Sequence, residues 1–194
     1  MAKVTTPLLS FTARGQIAQT LVYFPWKGID AVRSYVVPAN PNTAGQQTQR
    51  TIFGDAVAAW HTIGLDALDV SAWNRYAASL TKAMSGFNAF VRDQVDIEVA
   101  GQVPNMGFNG SLADDLDDTF TGVITEGGGA DAVDMIWGTS PTALNNTEVA
   151  TELTNVWTAS PVDLLSGVRI YARFVIKLLA NVTGRTGVFT VDIA

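Results

Sequence analysis

The run Gly101-Gln102-Val103-Pro104-Asn105-Met106-Gly107 constrains this chain more than any other segment. Its glycines, proline and asparagine make a break that no helix crosses. The texture changes there. Upstream, apolar residues recur at helical spacing; downstream, stretches rich in β-branched and aromatic residues are divided by turn clusters. The charge changes at the same place. Residues 1–103 carry eight Lys+Arg against seven Asp+Glu, a net of +1, while residues 104–194 carry four against eleven, a net of −7. Together these signals predict an α+β chain with a boundary near residue 103.

Residues 1–42 read as an extended arm with a β-hairpin. Gln16 to Phe24 is rich in strand formers. Pro25-Trp26-Lys27-Gly28 supplies the turn, with Gly28 free to take positive φ. Ile29 to Val37 is the returning strand, closed by Pro38. A two-stranded hairpin is marginal alone, so it needs helices of its own chain or a neighbouring subunit.

Residues 43–103 read as a three-helix segment. Phe53, Val57 and Trp60 mark one face of the first helix, and Gly64 its stop. Ser71 is a candidate cap for the second, with Trp73, Tyr76, Ala77 and Leu80 on one face. Ser85 opens the third, which runs to about Val99. Residues 104–194 read as a small antiparallel β-sandwich, with strands at 119–125, 132–137, 147–157, 168–179 and 188–193. Within the fourth, Ile170, Ala172, Phe174 and Ile176 share the inward parity, and Arg169, Tyr171, Arg173, Val175 and Lys177 the outward one.

Few residues here suit catalysis. The chain has no cysteine and one histidine, His61, which removes thiolate chemistry and leaves little for acid–base work at neutral pH. No phosphate-cradling glycine motif is present, so no cofactor is expected. Asp114, Asp115, Asp117 and Asp118 form the one suggestive cluster. A solvated loop is the plain reading, a Ca²⁺ site the alternative, and glycoside hydrolysis a remote third. Lysines and arginines are scattered singly, so direct nucleic-acid binding is not expected. No run approaches the ~20 apolar residues of a membrane span.

Residues 7–21, Pro-Leu-Leu-Ser-Phe-Thr-Ala-Arg-Gly-Gln-Ile-Ala-Gln-Thr-Leu, open a further pattern. It continues through Trp26-Lys27-Gly28, Arg33, residues 38–43, Gln46, Arg50, Trp60 and Trp73 to Ser85-Gly86-Phe87-Asn88-Ala89-Phe90. Over residues 1–95 it resembles a family of small proteins encoded by tailed bacteriophages and prophages near virion structural genes. The rest resembles only a generic β-sandwich appendage. The resemblance implies a non-enzymatic virion protein, assembled in the bacterial cytoplasm with the major capsid protein or other virion proteins as partners.

The residues themselves agree with that. Only 15% are charged against an ordinary ~25%, which suits surface covered by repeated interfaces. An extended arm can add a strand to a neighbour's sheet edge. The leading expectation is a capsid decoration (cement) or head-fibre protein, a homo-oligomer attached through Phe24, Trp26, Arg33, Arg50 and Trp60. The alternative is a neck, tail or fibre component whose second half binds host glycan through Trp137, Trp157 and Tyr171; core packing is the plainer reading of those three.

Overall fold

A two-residue turn sets the register of the amino-terminal sheet. Lys27 and Gly28 both have positive φ, 49° and 77°, the mark of the type I′ turn whose twist matches paired strands. The turn joins β3 (Leu21–Trp26) to β4 (Ile29–Ser34), with Trp26 opposite Ile29 and Phe24 opposite Ala31. With β1 (Ala2–Lys3) and β2 (Gly15–Ile17) they make an antiparallel sheet of order β1-β4-β3-β2. The structure, a computed structural model, describes residues 2–3, 14–37, 39–116, 119–161 and 167–193. Residues 7–13 and Pro38 of the family-like pattern lie outside these. Two expectations need correction. The strand expected over 16–24 is broken, because Ala18 and Gln19 take positive φ and Thr20 closes a turn on the Ile17 carbonyl at 2.9 Å. The returning strand ends at Ser34, short of Val37.

Residues 1–43 and 44–194 form separate compact units. The second holds α1 (Ala44–Thr62), α2 (Ala67–Ser79) and α3 (Gly86–Val99) together with all later strands. In α1 the inward stripe is Ile52 and Ala56, with Val57 and Trp60 partly buried. Phe53, expected on that stripe, is 57% exposed, since one residue's rotation carries it about 100° round the helix. Trp60 meets Phe87 and Phe90 edge to face at 5.6 and 5.1 Å, and Trp73 meets Phe90 at 5.2 Å. Each such pair adds about 0.5–1.5 kcal/mol beyond its burial.

The expected cap of α2, Ser71, lies inside the helix. Asp66 caps it instead, accepting from the Asp69 amide at 2.7 Å while Asp69 accepts from the Asp66 amide at 3.2 Å. This capping box satisfies two otherwise orphaned donors. Ser85 caps α3 as expected, accepting from the Asn88 amide.

The later strands form two antiparallel sheets packed face to face. One has the order β5 (Gly107–Leu116), β6 (Thr119–Glu126), β10 (Val156–Ala159), β9 (Thr151–Leu153). In the other, β8 (Asn146–Val149) pairs β7 (Ala132–Gly138), which pairs β11 (Arg169–Leu178). β12 (Asn181–Arg185) and β13 (Phe189–Asp192) share the far side of β11. The alternation read for β11 holds: Ile170, Ala172, Phe174 and Ile176 are buried. With Phe120, Ile124, Met135 and Trp157 they make the core.

Three strand expectations change. Residues 107–116, read as a break and an acidic loop, form β5. Residues 181–187, read as a turn, contribute β12. The single strand expected over 147–157 is three short ones, because the chain passes from one sheet to the other around buried Ala150 and then turns at Thr154 and Asn155, both at positive φ.

The boundary expected near residue 103 is a turn within one unit. Ala72 of α2 belongs to the sandwich core. Its carbonyl accepts from the Val188 amide at 3.0 Å, and Arg75 donates to the Val188 carbonyl. Gly187 makes this approach possible: a Cβ there would lie 2.3 Å from backbone atoms of Ala72 and Trp73. The Asp69 carboxylate reaches further into β5, accepting from the amides of Asn109 at 2.8 Å and Gly110 at 3.0 Å. There β5 bulges, with Asn109 at φ 53°.

Two buried carboxylates link this packing to pH. Desolvation raises the pKa of Asp69 above the ordinary 3.8, partly offset by its backbone hydrogen bonds. Desolvation likewise raises that of Asp93, although Arg185 donates to it at 3.0 Å. A carboxyl with a raised folded pKa binds more protons folded than unfolded, so acidification through that window favours the folded state. The melting temperature is therefore expected to rise as pH falls from neutrality towards the ordinary carboxylate range. Exposed Asp192, held low by its hydrogen bonds with Arg169, contributes the opposite sign at lower pH. Thermal melts across that range check this, and a Asp93→Asn variant should show a smaller rise.

Candidate docking face

Side chains alternate along a strand, and the I′ turn fixes which ones share a side. Val22, Phe24 and Trp26 of β3 therefore stand on the same face as their partners Arg33, Ala31 and Ile29 of β4. Three of the five attachment residues expected from sequence, Phe24, Trp26 and Arg33, are thereby brought together. The Arg33 guanidinium carbon sits 5.4 Å from the centre of the Phe24 ring, a cation–π contact that holds both side chains in place. Trp26 is 55% exposed and Ile29 42% exposed beside it. Ala31 is the one buried residue among the described residues of this unit. The face thus carries an exposed aromatic and an arginine, residue types that concentrate energy at interfaces, with a branched aliphatic beside them.

Arg50 and Trp60 belong to α1, in the other unit. Trp60 packs within the helical aromatic cluster rather than standing out for a partner, and Arg50 is exposed. Ile29 and Val22 were not singled out from sequence. Reading Lys27-Gly28 as a two-residue I′ turn, rather than Pro25 to Gly28 as the whole turn, would have placed them by parity.

The three aromatics expected as a glycan platform do not share a surface. Trp157 is 5% exposed and lies in the core. Trp137 pairs with Ala172 and so points inward, meeting Phe120 edge to face at 5.8 Å. Tyr171 pairs with Gly138 on the opposite side of that sheet. Of the acidic cluster, Asp117 and Asp118 lie outside the described residues. Asp115 accepts from the Thr121 hydroxyl, which is 3.0 Å from that of Ser160. Among the described residues no group of three or more His, Asp or Glu is placed to hold a metal ion. His61 sits in the last turn of α1, its ring 6.3 Å from that of Phe87. No helix among the described residues is long and apolar enough to cross a membrane.

No family model matches the sequence, and no curated protein matches it significantly. Among solved structures the chain is similar to one described as the crystal structure of a Br derivative of BhCBM56. The identity is 18% and the TM-score 0.35, over 43% of this chain and 88% of that one. A likeness so distant carries no argument about what this chain does.

Proposed function

We propose that this chain is a structural subunit of a tailed-bacteriophage virion, of the capsid decoration or head-fibre kind, and that it docks through the β3–β4 face. The observation that carries this reading is the convergence of half-buried Phe24 with exposed Trp26 and Arg33 on one sheet face. The partner is the major capsid protein or another shell component, and the subunit works as a homo-oligomer. The second unit, with its acidic sandwich, projects into solvent and supplies solubility. Its own core leaves it able to fold when the arm is removed.

Deleting residues 1–40 tests this. The truncated protein should fold, with the melting behaviour of the second unit retained, yet be missing from purified particles. Truncated protein at full occupancy on capsids would overturn the reading. Copy number per particle then separates the alternatives: hundreds indicate decoration of the shell, a dozen or fewer a neck, tail or fibre position.

A further inference from the structure

The two compact units differ in charge more sharply than the stretches on either side of residue 103. Residues 1–43 carry four Lys+Arg against one Asp+Glu, a net of +3, and residues 44–194 carry eight against seventeen, a net of −9. Within the first unit the signs are separated again. Its single acid, Asp30, pairs with Pro25 and so stands on the side of the sheet away from Phe24 and Trp26. Arg33 shares the side of Trp26, and Lys27 is exposed in the turn that joins Trp26 to Ile29. Along the hairpin, exposed Trp26 and Ile29 therefore lie between two cations, and the unit's one carboxylate is on the other side.

An apolar patch bordered by cations is complementary to a surface of the opposite sign. Two cations give little hold on a phosphate backbone or an anionic headgroup layer, where affinity grows with each charge neutralised, by about 1 kcal/mol per Lys or Arg at a membrane. They suit a protein surface on which a few carboxylates border an apolar slot for Trp26. Resting on the docking reading above, we infer that the partner of the β3–β4 face is an acidic protein surface, and that charge orients the chain as it approaches. Such a surface draws in the +3 unit and repels the −9 unit, so the hairpin arrives first and the sandwich is held outward.

The rates at which the full-length protein binds and leaves capsids assembled without it test this. Association should slow at least about tenfold between about 50 and about 500 mM NaCl, while dissociation changes little. Lys27→Glu should slow association about three- to tenfold at the lower salt and flatten the salt dependence. Lys27→Arg, which keeps the charge, should associate like the unsubstituted chain, separating loss of charge from damage to the turn. Trp26→Ser should act on dissociation instead. Duplex DNA and phosphatidylserine vesicles are the other arms, and neither should hold the protein at about 150 mM NaCl. Binding to either that matches binding to capsids, or association that ignores both salt and Lys27→Glu, would overturn the acidic partner and leave the docking reading standing. Failure of the full-length chain to bind capsids at any salt would overturn both.

Discussion

Asp69→Ala is expected to lower the stability of the 44–194 unit by about 2–4 kcal/mol. The carboxylate accepts from three backbone amides, those of Asp66, Asn109 and Gly110. Removing it strands a buried donor in the β5 bulge as well as half of a helix cap. Each stranded donor costs about 1–3 kcal/mol, and relief from burying the charge returns part of that. Asp66→Ala removes only the cap and should cost about 1 kcal/mol. Urea denaturation of both variants checks the comparison. Equal losses would mean that the reach of Asp69 into β5 contributes nothing.

Trp26→Ser is expected to reduce occupancy on particles severely while leaving the melting of the second unit where it was. If the β3–β4 face docks as proposed, a half-exposed tryptophan anchoring it would contribute about 2–4 kcal/mol, so its loss would weaken affinity by about 30- to 1000-fold. Arg33→Ala should cost less, about 1 kcal/mol, because the cation–π contact with Phe24 mainly orders the face. Quantifying bound copies per capsid at several protein concentrations reads both effects. Undiminished binding of Trp26→Ser would place the docking surface elsewhere.

The elements that local rules govern were legible in the sequence. The parity of β11 follows from residue type alone, as does Ser85 at the start of α3. What escaped depends on contacts between distant residues. The bulge at Asn109 and Gly110 looks like a break because its amides are satisfied by Asp69, about forty residues upstream. The α2 cap was missed because its box is Asp-x-x-Asp, while Ser71 offered a more familiar cap residue. Aromatic type likewise does not tell which way a ring points: register turned Trp137 inward and Tyr171 outward on neighbouring strands. On the β3–β4 face proposed for docking the converse held. Phe24, Trp26 and Arg33 were recognisable singly, and only the I′ turn showed that they stand together.

The bond between Ala72 and Val188 has a consequence for synthesis. The helix carbonyl waits for an amide that the ribosome adds 116 residues later. At the usual rate of elongation that is a delay on the order of ten seconds. The hairpin that carries Trp26 emerges long before then, so it is made well ahead of the completed 44–194 unit. A nascent chain interrupted anywhere before Val188 would carry the finished hairpin without a completed 44–194 unit.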